Sequence, residues 1–141
     1  MNEKNSCGML IKQIHDEMEK RINNALRSFD LTMAQMAALL VIRKIPERRM
    51  SLKELEHELG VAQSTTAGIV SRLEQKRFIE AFGDPEDKRV KMIRMTETGE
   101  QCCEFAERDM ESGEAELLSG LTDIERNTLL ALLEKVRGTL K

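Results

Sequence analysis

A chain of 141 residues, 33% charged and 40% hydrophobic, has the makings of a single folded domain with a real core and is too short for two independent ones. No window approaches the ~18 apolar residues of a membrane span, and the opening MNEKNSC lacks the apolar core of a secretory leader, so no membrane partner and a cytoplasmic address are expected. Net charge is −3, yet residues 43–94 hold twelve Lys/Arg against nine Asp/Glu while the rest holds ten against sixteen, a basic middle between acidic ends that suits a polyanion partner.

Residues 8–29 place Leu10, Ile11, Ile14, Met18, Ile22, Leu26 and Phe29 at steps of three and four, which predicts a helix with one apolar stripe. Thr32-x-x-Gln35, Ser51-x-x-Glu54 and Thr122-x-x-Glu125 each fit a capping box, in which a hydroxyl accepts from an orphan amide of the first turn and the fourth residue reaches back. Helices are therefore expected to begin near 33, 52 and 123. The second runs through Met36, Ala37 and Leu40 and stops before Pro46; the third uses Leu52, Leu55 and Leu59 and ends at Gly60, a residue suited to left-handed backbone. A fourth is expected over 63–76, with Thr66, Ile69, Val70 and Leu73 inward. The period then changes. Phe78–Phe82 and Val90–Met95 read as two short strands joined by Gly83, Asp84 and Pro85, with at most a short extra strand near Arg49–Met50. Thr96 can cap a fifth helix reaching 118, with Cys103, Ala106, Met110 and Leu117 along one side. The last helix presents Leu129, Leu133, Val136 and Leu140. The expected fold class is mainly α with a small β-hairpin.

Residues 52–76, LKELEHELGVAQSTTAGIVSRLEQK, have the spacing of a helix-turn-helix, whose first helix braces while the second offers its N-terminal residues to a major groove. Gln63, Ser64, Ala67, Gly68, Ser71 and Arg72 fall opposite the Ile69/Leu73 core. Ser64 and Thr65, near the positive helix end, suit phosphate; Arg72 suits a guanine edge or a phosphate. The stretch that follows, FGDPEDKRVKMIRMTETG, holds Lys88 and Arg89 near a hairpin tip, where an Arg gains from the negative potential of a minor groove. Asp87 is placed to pre-aim the Arg89 guanidinium by a charge-assisted bond. Packed helices with a solvated face and an ordinary surface ion pair form the bland alternative; the contiguity of the two motifs favours the winged reading.

These segments resemble one family. DPEDKRVKMIRMTETG resembles the wing signature of the MarR (multiple antibiotic resistance regulator) family, a D-x-R pair, a short strand and an "LT-x-x-G" close. LKELEHELGVAQSTTAGIVSRLEQKRFI is similar to that family's helix-turn-helix, and the similarity extends over nearly the whole chain. The resemblance implies a winged helix-turn-helix with N- and C-terminal dimerisation helices: one domain over 1–141, with 31–95 as the DNA-binding lobe and 1–30 with 96–141 as the helical dimerisation region. It further implies a homodimer on double-stranded DNA with a pseudo-palindromic operator, and repression of transcription released by a small apolar or phenolic effector. Four positions depart from the family pattern. Ala67 and Gly68 stand where many members carry longer polar or basic side chains, so fewer base contacts are expected there; Arg77 replaces a Gly, and Met95 replaces the Leu of "LT".

The terminal helices carry more apolar surface than one small lobe can cover, at Ile14, Met18, Leu129, Leu133, Val136 and Leu140, which also points to a dimer. With 3% aromatics and no Trp or Tyr, the chain relies on Leu, Ile, Val and nine Met to fill its interior. Met9, Met18, Met33 and Met36 on the first two helices suit either that role or an adaptable apolar pocket; His15, Met18 and Met36 are the candidate effector contacts. Cys7, Cys102 and Cys103 give no disulfide framework and read as reduced thiols. Cys7 lies close to where organic-hydroperoxide sensors of the resembling family keep their reactive thiol, though those sensors use Tyr partners and this chain has none; a thiol-based redox-sensing regulator is one alternative. Cys102 and Cys103 point about 100° apart on a helix, and no ligand spacing joins them to His15 or His57, so neither metal nor cofactor is expected. No Gly-rich phosphate loop, paired-carboxylate setting, H-E-x-x-H or nucleophile motif appears, and no enzymatic activity is expected. The other alternative is a winged helix used only for protein–protein contact, against which Arg72, Lys88 and Arg89 speak.

Overall fold

Hydroxyl caps start five of the six helices among the described residues, and left-handed residues follow three of them. The structure, a computed structural model, describes residues 6–140; the expectation of no leader rests largely on residues 1–5, which lie outside the described residues. Helix α1 (Cys7–Ser28) begins at Ser6, whose Oγ accepts from the Met9 amide at 3.1 Å. Helices α2 (Met33–Arg43), α3 (Leu52–Leu59) and α6 (Asp123–Arg137) each follow a complete capping box, at the three starts expected from Thr32, Ser51 and Thr122. Helices α4 (Gln63–Gln75) and α5 (Glu97–Leu117) complete the six among the described residues. Strands β1 (Arg49–Ser51), β2 (Ile79–Gly83) and β3 (Lys91–Met95) form an antiparallel sheet of order β1-β3-β2, so the short strand anticipated at Arg49–Met50 joins the hairpin as its third member.

Two helix ends have a common cause. After α1 the Leu31 amide donates to the Leu26 carbonyl and the Asp30 amide to that of Arg27; after α4, Phe78 donates to Leu73 and Arg77 to Glu74. This paired pattern needs a left-handed residue, which is Asp30 at φ 54° and Arg77 at φ 65°. Gly60, at φ 65°, does the same after α3 without a Cβ to oppose it.

Residues 6–108 pack as one unit and residues 109–140 as another. In the first, Leu39 and Ile42 of α2, Leu55 of α3, Val70 and Leu73 of α4, and Ile79 and Ile93 of the sheet close a single core with Cys102 and Cys103. Ala37 is exposed, and α2 turns Met36, Ala38, Leu39 and Ile42 inward instead. The two cysteines act as small apolar residues: burial pushes the Cys102 thiol up to about 11 and that of Cys103 to about 12. Fully buried Thr66 keeps its hydroxyl satisfied by donating to the Ala62 carbonyl at 3.2 Å. Arg43, whose side chain is 18% exposed, donates to Glu100 and Glu107 of α5, and Arg48 donates to the other oxygen of Glu100. Phe29 meets Phe105 edge-on with centroids 5.2 Å apart. Together these contacts hold the first half of α5 against α1 and α2.

On α1, Leu10, Ile11, Ile14 and Met18 remain exposed. Of the stripe expected on α5, Cys103 is buried and Ala106 partly buried, whereas Met110 and Leu117 are exposed. In the second unit α6 buries no residue, and Ile124 is 79% exposed. No single helix among the described residues is long and apolar enough to cross a membrane.

The first turn of α5 is fixed by Thr96. Its Oγ1 donates to the Arg77 carbonyl at 2.7 Å and accepts from the Gly99 amide at 3.1 Å, and its own amide donates to Phe78 O at 3.1 Å. A Cβ on Gly99 would lie 2.3 Å from that same Phe78 oxygen and 2.8 Å from Met95 Cγ. Backbone must move to admit it. Gly99→Ala is therefore expected to destabilise the fold by roughly 1–3 kcal/mol, the range for overpacking a well-filled interior. Chemical denaturation reads this as a lower midpoint; an unchanged midpoint would contradict the close approach.

Candidate nucleic-acid interface

Helix α3, the turn at Gly60 and helix α4 form the helix-turn-helix. Five helices carry a hydroxyl cap, at Ser6, Thr32, Ser51, Thr96 and Thr122. Helix α4 begins instead at Ala62, which has no side-chain cap bond. Its first amides therefore stay open at the positive end of the helix, where a phosphate oxygen is a suitable acceptor. Gln63, Ser64, Thr65, Ala67, Gly68, Ser71 and Arg72 are all exposed, while Thr66, Val70 and Leu73 are buried on the opposite side. A Cβ built on Gly68 meets nothing within 4 Å, so no contact inside the chain requires glycine there.

The hairpin tip is ordered by its own carboxylates. Asp84 Oδ1 accepts from the Glu86 amide at 3.0 Å, and the Val90 amide donates to Asp87 O at 2.9 Å. Asp87 then holds Arg89 at both oxygens: Nε donates to Oδ1 at 3.0 Å and Nη2 to Oδ2 at 3.2 Å, while the Arg89 amide also donates to Oδ1 at 3.1 Å. The guanidinium, and then the backbone amide, hold the Asp87 carboxyl below its ordinary range. The Arg89 side chain is nevertheless 91% exposed. An exposed pair of this kind adds little stability. What it supplies is direction, because the two-pronged bond restricts where the guanidinium points. Lys88 is exposed beside it. Nearer the stem, Arg94 Nε donates to Glu80 at 3.0 Å and its guanidinium lies 5.1 Å from the Phe82 ring centroid.

Two residues that the sequence reading passed over tie this surface together. Glu74 Oε2, in the last turn of α4, accepts from the Ala81 amide of β2 at 3.1 Å. Lys76 Nζ donates to the Asp30 carbonyl and, at 3.2 Å, to Gln35 Oε1. Neither belongs to a local pattern, so periodicity had no means of marking them.

The remaining candidates lie elsewhere. His15 and Met18 are exposed on α1, with His15 Nε2 3.8 Å from Glu19, whereas Met36 is buried in α2. None of the three lines the groove of about 620 Å³ between α2 and α3, whose floor is Val41, Ile45 and Met50. Cys7 is exposed at the start of α1. No group of three metal-ligating side chains occurs among the described residues.

Comparison with known proteins places these features in a family. Residues 31–91 match the family described as "MarR family". The multiple antibiotic resistance protein MarR of Escherichia coli K12 is 31% identical over 139 residues, spanning 96% of this chain and 93% of the relative. Among solved structures, apo wild-type MarR from E. coli is 30% identical with a TM-score of 0.71, covering 96% of this chain and 98% of that one. S. aureus MepR, solved as a complex with DNA, is 25% identical with a TM-score of 0.84, covering 95% and 99%.

The Asp87–Arg89 fork has a pH signature. A carboxyl whose folded pKa is depressed contributes stability above its unfolded value and loses that contribution as pH falls through the folded one. In an NMR titration Asp87 is expected to ionise below the ordinary 3.8 in the folded protein and to return toward it in Arg89→Ala. An ordinary value in the unaltered protein would remove the fork.

Proposed function

The chain belongs to the MarR family of transcriptional regulators, and on that premise we propose that it acts as a homodimer that sets one reading helix and one wing per subunit against an operator duplex, repressing transcription until a small effector releases it. The observation that carries this reading is the pairing, on one lobe, of an uncapped, exposed α4 N-terminus with an Arg89 aimed by Asp87. In the complex, Gln63 and Ser71 face base edges, Ser64 and Thr65 hold phosphates, and Arg72 meets a guanine edge or a phosphate. Lys88 and Arg89 lie along the adjoining minor groove, with Asp87 orienting the arginine. The DNA complex of MepR supports this docking by likeness of fold.

Residues 31–95 are proposed as the DNA-binding lobe, and 1–30 with 96–141 as the dimerisation region. The exposed apolar residues of α1 and α6 support that division, since a second copy would cover surface that a lone chain leaves in water. The effector is proposed to be small and apolar or phenolic, approaching where His15 and Met18 are exposed; Met36 would be reached only through an opening of the core. A thiol-based trigger is less well supported, because two of the three thiols are buried with raised pKa values and Cys7 alone is exposed. A cytoplasmic protein without enzymatic activity fits this role.

Light scattering at micromolar concentration is expected to give twice the 16.1 kDa chain mass; a monomer would refute the dimer. Selection from a random duplex pool should return two-fold related half-sites about one helical turn (~10 bp) apart. Binding should weaken steeply with salt as phosphate contacts displace counterions. Arg89→Ala should weaken binding to all sequences, and Arg72→Ala should cost about 1–3 kcal/mol and relax preference at one position. Wild-type affinity in both variants would sink the assignment of the surface.

A further inference from the structure

With sheet order β1-β3-β2, strand β2 has one edge that no strand pairs. Along the paired edge, the Thr96 amide donates to Phe78 O at 3.1 Å and the Asp84 amide to Val90 O at 3.0 Å. Alternation of antiparallel bonding then turns the even-numbered residues of β2 toward β3 and the odd-numbered ones toward the open edge. The Ala81 amide therefore points away from the sheet. It is the group that Glu74 Oε2 accepts, at 3.1 Å.

The position of that bond matters. The wing is held to the rest of its lobe at Phe78 and Met95 and by the pairing of β1 with Met92–Arg94 of β3, and its far end, residues 84–90, stands off into water. Of the two wing strands, β3 is paired on both sides and β2 on one only. Glu74 ties that open edge directly to α4, and Glu74 itself stands on firm ground, because Lys76 pins the same helix end to Asp30 and Gln35. The Arg94 contacts with Glu80 and Phe82 stay within the wing and give no such link to α4. Charge makes the case sharper. A carboxylate on the helix that also carries Arg72 repels phosphate, so electrostatics alone makes Glu74 unfavourable for holding DNA.

We propose that Glu74 is a positioning residue that sets the angle between the wing and the reading helix, so that Arg89 and α4 engage one duplex together. The inference rests on the DNA-binding reading above. It has a sign that simple charge does not share: removing the carboxylate weakens binding.

The test compares affinities of full-length wild type, Glu74→Ala, Glu74→Gln, Arg89→Ala and the Glu74→Ala/Arg89→Ala double variant, by fluorescence anisotropy on a duplex selected by the wild type. Glu74→Ala is expected to bind about fivefold more weakly, the equivalent of one hydrogen bond. Glu74→Gln, which keeps an acceptor and loses the charge, is expected to bind at least as tightly as wild type. In the Arg89→Ala background the Glu74→Ala change should weaken binding less, because the wing it aims has lost one of its contacts. Hydrogen exchange gives an independent reading: the Ala81 amide should lose protection in Glu74→Ala and keep it in Glu74→Gln, with the melting transition unchanged. Glu74→Ala binding as tightly as wild type, or weakening equally in both backgrounds, overturns the inference alone. Arg89→Ala binding as wild type overturns the wing assignment beneath it and this inference with it.

Discussion

The carbonyl oxygen of Phe78 is the point at which reading helix, wing and α5 are joined. It accepts the Thr96 amide, and the Cα of Gly99 lies so close that any side chain there would collide with it. The left-handed Arg77 that closes the turn after α4 comes one residue earlier, β2 starts one residue later, and Thr96 both closes β3 and caps α5. The Thr and Gly of the "T-x-x-G" close therefore serve packing; neither has to touch DNA. The first turn of α5 is thus seated directly on the base of the wing. The Arg43–Glu100–Arg48 cluster fixes the same turn of α5 to α2 from another side. Half-buried ion pairs of this kind contribute more to a defined geometry than to net stability, since desolvation offsets much of their attraction.

Helix starts were legible in the sequence because a cap is a local device: a hydroxyl and a Gln or Glu three residues on act within one turn, and all three boxes form. Helix ends were legible only where glycine or proline marked them. Gly60 announced its left-handed turn, but Asp30 and Arg77 adopt the same backbone with side chains that give no warning. The inward face of α2 was hard to orient for a different reason. Its run MAALLVI offers no polar side to turn outward, so Ala37 and Ala38 look alike until the fold buries the latter and leaves the former exposed. The Asp87–Arg89 fork was readable from a spacing of two residues. The Lys76–Asp30 and Arg43–Glu100 contacts join residues far apart in the chain, and the Glu74–Ala81 bond depends on which edge of β2 faces outward; no periodicity encodes either.

An acidic chain proposed to hold a polyanion has to dispose of its carboxylates. Three carboxylates of the winged lobe are engaged: Glu80 with Arg94, Asp87 with Arg89 and Glu74 with the Ala81 amide. Each carboxylate sets the position of a neighbouring group as it is neutralised or occupied. Arg72 and Lys88, by contrast, make no side-chain bond among the described residues and remain available to a partner. The lobe thus separates cations that are aimed from cations that are free, which is a more informative division than its net charge.

Two residues of α4 and its end run against local preference in opposite ways. Gly68 occupies an exposed helical position where nothing would obstruct a side chain, at a cost near ~1 kcal/mol relative to Ala. Arg77 occupies left-handed backbone where glycine would relax, at a cost of roughly 1–2 kcal/mol. Nothing in the structure explains Arg77 beyond the turn it completes. Gly68 has a neighbourhood that does explain it: with Ala67 and Ser71 it keeps the outer face of α4 low along its middle. A helix shaped in this way lets its backbone approach a groove wall. Discrimination between sequences in the proposed complex then falls to the few long side chains around that low stretch, Gln63 at one end, Arg72 at the other and Arg89 alongside, and so depends on how firmly the wing is held at its angle to the helix.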